Sequence, residues 1–461
     1  MSAAVLPYRP PAPVPRPPVA ALIRAAFAGE RDLLSLLPDI AYSELVTPLG
    51  MSRRNILLVN DPQAVAEILV NGQGWFPKND LMVGALEGLV GNSIFVSDGE
   101  AWKRQRRMID PAFSHMRINQ AFTAMTAAVE DYMRTADGHA QRGEAFSLDA
   151  AMSLMTADII CRTIFSRSLD GGIGRDVYLA FTAFERQVAQ VELGRLLLGK
   201  PFAKVPQPPA VQVACRIIRG HFDAMLDDWV AAGGQEGDDI AGAIIAARDP
   251  VTGEGFSRQE LIDQIGVFFL AGHETTASVL TWTFFVLSQR PEIVARMRAE
   301  IAAVAGGGPI LIEHTKKMAF TRNVFREALR LYPPITFIPR VAALDTEIAG
   351  RRVKRGTMIM IAPWTLHRHR AFWREPELFD PDRFLPDREK EIRTGTYIPF
   401  GLGPRICVGA AFATVEASLI LASLVRRYDF AVERPEAVRP VSRLTTRPAR
   451  EIMCRVVAAR R

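Results

Sequence analysis

The sequence predicts a mainly α-helical fold with a small β region. Three observations carry this. Apolar residues recur at three- and four-residue spacing through most of the chain. Strand-like pieces are few and short, at residues 56–59, 336–341, 346–348 and 357–361. No internal repeat of roughly 20–50 residues and no clear linker divides the chain. By length, 461 residues could hold about three domains. One large domain over residues 21–461 is expected instead, preceded by a proline-rich arm over residues 1–20.

The elements follow in order. Residues 7–18 hold seven prolines, which favours extended polyproline geometry and a stiff surface arm. Asp61-Pro62 opens a short helix over 61–70. Periodic apolar positions predict helices over 121–134, 148–165 and 175–198, and a loop is expected at 201–209. The longest helix is predicted over 257–289. Ser257-Arg-Gln-Glu260 is a capping box at its start, and Pro291 begins the next helix. At the helical rise its length reaches about 50 Å, enough to cross the molecule. Gly306-Gly307-Gly308 is a loop, and residues 372–400 read as a long aperiodic one. Such a loop within a domain is often functional.

Composition narrows the function classes. Apolar residues at 49% and charged residues at 23% exclude a disordered chain, a collagen-like chain and a coiled-coil rod. Four cysteines, none at CxxC spacing, exclude a disulfide scaffold and fit a reducing cytoplasm. The net charge of +6 is carried by arginines dispersed along the chain. That pattern suits a solvated surface better than a nucleic-acid groove, so no nucleic acid is expected as a partner. There is no secretory pattern at the N-terminus. No uninterrupted apolar run reaches the ~20 residues of a membrane span. The closest, residues 261–287, carries Asp263, Gln264, His273 and Glu274. A soluble, cytoplasmic protein is expected.

The strongest chemical signal is Phe400-Gly-Leu-Gly403-Pro-Arg405-Ile-Cys407-Val-Gly409. Glycines and a proline shape a loop, and an apolar helical run over 408–425 follows. Cys407 is thereby placed at a helix N-terminus, where the dipole and free N–H groups favour a thiolate. A single soft thiolate on such a loop suits axial ligation of haem iron. Cys161, Cys215 and Cys454 lack this context and read as core filler.

The Cys407 pattern resembles the haem-binding signature of the cytochrome P-450 superfamily, the haem-thiolate monooxygenases. Other segments agree. Glu327-Ala-Leu-Arg330, followed by Leu-Tyr-Pro-Pro, resembles the family's ExxR helix, and Arg383 in Pro381-Asp-Arg-Phe384 matches its third member. The family often has glutamate where Asp382 stands. The resemblance makes that network structural. Ala271-Gly272-His273-Glu274-Thr275-Thr276 looks like the oxygen-activation motif. It implies room beside the haem at Gly272, a hydroxyl at Thr275 and a proton relay at Glu274. Propionate partners are implied at Trp102, Arg106, Arg340 and Arg405, while Phe400 packs beside the haem. Arg104 and Arg107 are left to help form a basic docking patch.

The resemblance covers the chain from about residue 40 onward. It implies the cytochrome P-450 haem-thiolate fold, haem b as cofactor with Cys407 on its iron, and insertion of one oxygen atom from O2 into an apolar organic substrate. Hydroxylation or epoxidation of a lipid-like, terpenoid or aromatic compound fits the apolar pocket segments. These are Trp75, Phe76, Leu81, Met82, Val83, Leu86, Leu89 and Phe95, then Leu193, Leu196, Leu197, Leu198 and Phe202, then Val267, Phe268, Ala271, Ile335, Phe337 and Leu444. Lys78 and Arg195 are cations that nothing in the sequence assigns. The arm resembles a hinge without its membrane anchor, which points to a soluble, bacterial-type member without a fused reductase. Electrons are then expected from a separate ferredoxin or flavodoxin with its NAD(P)H-dependent reductase, and the enzyme is expected to be a monomer. A peroxide-using relative is disfavoured by Glu274-Thr275. A gas sensor is disfavoured by the lack of an output segment.

Overall fold

The structure is a computed structural model that describes residues 8–17, 32–49, 55–72, 74–169, 176, 178–181, 184, 202, 207–231 and 239–459. The principal described helices are α1 (Asp80–Val90), α2 (Gly99–Ile109), α3 (His115–Arg142), α4 (Leu148–Phe165), α5 (Pro209–Ala231), α6 (Arg258–Ser288), α7 (Pro291–Ala305), α8 (Ala319–Leu331) and α9 (Ala410–Arg427). A small sheet is built from β1 (Val46–Pro48), β2 (Leu57–Val59), β3 (Ile338–Val341) and β4 (Met358–Ile361), in the order β1-β2-β4-β3. Its β2–β4 pair is parallel and the other two pairs are antiparallel. Near the C-terminus β5 (Tyr428–Val432) pairs with β8 (Met453–Ala458), and β6 (Pro440–Ser442) with β7 (Thr446–Pro448).

The expected mainly helical architecture with a small β region is present. The predicted helix over 148–165 matches α4 at both ends. Only isolated positions of the predicted helix over 175–198 are described, and those are helical; the rest, with Leu193, Arg195, Leu196, Leu197 and Leu198, lies outside the described residues, as does most of the loop predicted at 201–209.

Helix α6 is the organising element. Its N-terminus is closed by the predicted capping box. The Ser257 hydroxyl accepts from Glu260 N–H, and the Glu260 carboxylate accepts from Ser257 N–H at 2.8 Å. Its 31 residues reach about 46 Å. Most of its length is buried on every side, against α4, α1, α5 and α8. Hydrophobic burial all round marks a helix that runs through a core rather than over it. Trp282, Phe284 and Phe285 are fully buried near its C-terminal end, where each contributes roughly 1.5–3 kcal/mol relative to exposure.

The proline-rich arm is not a free surface strand over its described part, residues 8–17. Tyr332 Oη donates to Pro11 O at 2.8 Å, and Asp39 N donates to Arg16 O at 2.9 Å. The Arg290 guanidinium lies over the Tyr8 ring. Proline supplies carbonyl acceptors but no N–H, so the arm can dock on donors without forming a sheet.

Among the described residues, no helix is long and apolar enough to cross a membrane. Charged and polar side chains interrupt the apolar stretch of α6, as the sequence indicates.

Candidate active site

The loop before α9 has the predicted shape. Cys407 N donates to Phe400 O at 2.9 Å, and Ile406 N to Gly403 O at 3.0 Å. Gly401 and Gly403 adopt φ of +81° and +76°. A Cβ at Gly403 would lie 2.7 Å from Leu69 O, so both conformation and space require glycine there. Gly409 is the N-cap of α9. From behind, the ring of His367 accepts the Ile398 N–H at 2.9 Å. Burial and the nearby Arg330 and Arg368 push its pKa down to about 3. The ring is therefore neutral and fixed as an acceptor.

Cys161, Cys215 and Cys454 are buried, and Cys407 is exposed. Burial pushes the first three thiols up to about 12, 11 and 12. Surrounding protein also raises the Cys407 thiol, against the Gly409 N–H and the Arg106 charge that lower it. The helix terminus alone therefore does not ionise this thiol. An exposed residue whose thiol is still desolvated fits the wall of an internal space better than the outer surface. A second patch of accessible interior lies on α6. Ala271 is exposed and Gly272 and Thr275 are half-buried, within a helix otherwise buried along this stretch.

Three cations gather at the edge of this region. Lys78 Nζ donates to Ile94 O at 3.2 Å, to Ser97 O at 3.1 Å and to Phe95 O. The backbones of Lys78 and Arg340 form a bridge. Arg405 pairs with Asp98, and its guanidinium lies 4.2 Å from the centre of the buried Trp102 ring. Burial first, then Arg405 and Arg340, pushes Lys78 down to about 6. Burial and Arg405 push Arg340 down to about 10. Asp98 is the one carboxylate that counters these shifts. Arg405 has Asp98, while Lys78 and Arg340 make no salt bridge among the described residues, and two such groups match the two carboxylates of haem b. Crowded, desolvated cations of this kind fit a dianionic group.

Trp102, Arg340 and Arg405 are thus brought together. Lys78 joins them, which the sequence did not assign. Arg106 contacts the Cys407 loop. Its Nε pairs with Asp110 at 2.6 Å and its NH1 donates to Ile406 O at 2.6 Å. It braces the loop from the residue before Cys407. A Cβ at Gly272 would lie 2.3 Å from Ile160 Cδ1, so this glycine lets α6 pack closely on α4. Arg104 and Arg107 are not free for docking. Arg104 pairs with Glu260, and Arg107 with the buried carboxylate of Asp249. Trp75, expected in the pocket, is 57% exposed.

The side chains of Glu274 and Thr275 point to different surroundings. Thr275 Oγ1 donates to Ala271 O at 2.7 Å and retains lone pairs for a further donor. Glu274 is buried and turned to the C-terminal strands. Its carboxylate accepts from Arg447 Nε at 2.8 Å and from Thr445 Oγ1 at 2.6 Å. Arg447 in turn pairs with Asp149 at 2.6 Å. Sequence patterns do not point to Arg447 or Thr445, which lie in a short strand region without periodicity.

Below the loop, Glu327 and Arg330 form a fully buried two-bond pair, with both contacts at 2.7 Å. Arg383 joins Glu327 at 3.3 Å. Arg330 also donates to the carbonyls of His367, Pro376 and Leu378. Asp382 pairs with Arg296 rather than with this cluster.

The family model for cytochrome P-450 matches residues 42–455. The chain belongs to the cytochrome P-450 family. It is similar to cyclooctat-9-en-7-ol 5-monooxygenase of Streptomyces melanosporofaciens, at 34% identity over 86% of this chain and 84% of that protein. It is also similar to cyclooctatin synthase of the same organism, at 33% identity over 91% of this chain and 90% of that one. Among solved structures, the cytochrome P-450DA haem domain shares the fold, with a TM-score of 0.81 over 98% of each chain at 24% identity. This cytochrome P-450 is a monooxygenase whose cofactor is haem b. The desolvated thiol, the glycine-shaped loop and the cation cluster are the features of this chain that fit the group.

Proposed function

We propose that this cytochrome P-450 oxygenates an apolar cyclic compound of the alkene or alkenol type, such as a terpenoid. The observation that carries the reading is one face of α6. Around the accessible Ala271 stand Val267, Phe268 and Thr275, so a single hydroxyl interrupts an apolar strip. Such a lining holds a substrate by shape and leaves few polar anchors. The cation cluster of Lys78, Arg340 and Arg405 is matched to the cofactor, which argues against a carboxylate-bearing substrate. The first relative above acts, by its name, on a cyclic alkenol.

Cys407 would hold haem b at the thiolate. Trp102, Lys78, Arg340 and Arg405 would hold its carboxylates, with Phe400 packed in the loop beside it. The bound haem supplies the activation of O2, using electrons from a separate ferredoxin or flavodoxin and its NAD(P)H-dependent reductase. The chain's own groups manage position and protons. Thr275 orients a hydrogen bond into the cavity. Glu274 passes a proton only after Arg447 shifts toward Asp149, since an ion-paired carboxylate has no proton to give.

The test is a binding screen on the haem absorption spectrum with cyclic alkenols, terpenes, fatty acids and simple aromatics, followed by turnover with a surrogate ferredoxin and reductase. Cyclic alkenols or terpenes should shift the spectrum and gain one oxygen atom from isotopically labelled O2. A chain that bound and oxidised only fatty acids would contradict the proposal.

A further inference from the structure

Asp263 stands near the start of α6, one turn before Val267 on the same face. Its carboxylate is buried, and two other elements reach it. From α5, Arg219 NH2 pairs with Oδ1 at 2.6 Å. From the loop after α1, Asn92 N donates to Oδ2 at 3.0 Å. Gln259 Nε2, one turn back on α6, donates to Oδ1 at 3.2 Å. Arg219 also reaches α1 itself, since its NH1 donates to Leu89 O at 2.8 Å. Gly91 follows α1 at φ +50°, and a Cβ there would collide with the Asp263 carboxylate. The loop therefore lies directly on this group, where only glycine fits. Next along α6, Gln264 Oε1 accepts the Ile94 N–H at 3.1 Å. The end of α1 is thus tied by its backbone to α5 and α6, with one ion pair at the junction.

Taking a carboxylate and a guanidinium out of water is unfavourable, and well-packed apolar residues of similar volume often stabilise such a junction as well or better. What an ion pair adds is register, because it has one geometry while apolar surfaces can slide. Register matters at this place. A Cβ on Gly266 would lie 3.6 Å from Leu89 O, so the end of α1 touches α6 beside Val267. Val267 and Phe268 belong to the apolar strip around Ala271. A substrate held by shape is oriented by where such walls stand.

We propose that Arg219 and Asp263 are positioning residues that fix α1 as one wall of the substrate cavity. They decide how an apolar ring system is oriented and how fast it leaves. The inference rests on the reading that the Val267–Phe268 strip faces the substrate.

The holoenzyme tests this with phenylimidazole, a bulky ligand that binds haem iron and reports its own exchange in the absorption spectrum. In Arg219→Met its dissociation should quicken by about tenfold, the size of one ordinary ion-pair coupling. The double variant, Arg219→Met with Asp263→Leu, no longer buries an unmatched carboxylate and should unfold at or above the wild-type temperature. It should still exchange the ligand faster, and its oxygenation of a cyclic alkene should spread over more carbon atoms. Arg219→Lys cannot hold Leu89 O and Asp263 with one planar fork, and it should exchange at an intermediate rate. The two single variants provide the test if the double variant does not fold. Unchanged dissociation in Arg219→Met would overturn the proposal. So would a double variant that regains slow exchange or the wild-type product pattern, because the pair would then only hold the fold together. Failure of the substrate reading is seen separately, as a wild type that oxidises only fatty acids, and leaves the ligand-exchange result standing.

Discussion

Arg447 grips Glu274 with two nitrogens of its guanidinium. Nε lies 2.8 Å from Oε1, and NH2 pairs with Oε2. Both side chains are buried, and the same arginine reaches Asp149 at 2.6 Å. Glu274 is thus tied to a strand more than a hundred residues downstream.

Removing one partner leaves the other charge buried without its match. Arg447→Met should destabilise the protein by roughly 3–5 kcal/mol. Adding Glu274→Gln should recover most of that loss. Urea unfolding of the two single variants and the double variant measures the coupling. Additive losses would mean that the pair does not act as a unit.

Arg330 gives the second prediction. It joins Glu327 and donates to three carbonyls in the segment that ends at Leu378. Lysine has neither the planar fork nor enough donors to copy this. Arg330→Lys should cost about 3–5 kcal/mol and lower the haem content of the purified protein. Because the network supports the Cys407 loop from behind, haem content should fall before helical circular dichroism does.

Lys78 gives a prediction of opposite sign in two states. Without cofactor, burial and the neighbouring Arg405 and Arg340 disfavour its charge and push its pKa down to about 6, so Lys78→Met should leave the apoprotein as stable as before or more so. With cofactor bound, a charge-assisted hydrogen bond is lost. Haem transfer to apomyoglobin should then quicken by about tenfold or more, the equivalent of roughly 1.5–3 kcal/mol. Slower transfer would remove Lys78 from the haem site.

His367 sets a pH dependence. Its folded pKa of about 3 lies below the ordinary 6.5. Between those values the unfolded chain binds a proton that the folded protein does not. Stability therefore falls as pH falls from about 6.5 toward 3. Urea midpoints measured over that window should drop more steeply for the wild type than for His367→Asn. Parallel slopes would show that the ring is not held neutral.

The helical class, the course of α4 and α6 and the Cys407 loop were legible because each rests on local chemistry. A capping box, a proline or a glycine at positive φ acts on its own neighbours. The Glu327–Arg330–Arg383 cluster was legible through short motifs at fixed spacing. What escaped depends on distant chain segments. Lys78 matters because a backbone bridge brings it to Arg340, and nothing between Pro77 and Asn79 announces that. Gly272 is small because Ile160 approaches from α4. Asp263 sits in a helical run where a lone aspartate normally marks the solvated face, and only packing shows it buried against Arg219. Arg447 lies in a three-residue strand, too short for a two-residue period to register.

The assignment of Cys407 as the haem thiolate is tested most directly by the carbon monoxide difference spectrum of the reduced protein, recorded for the wild type and for Cys407→Ala. The wild type should show the long-wavelength Soret band of a thiolate-ligated haem, and the alanine variant should lose it. A wild type without that band, or a variant that kept it, would contradict the account.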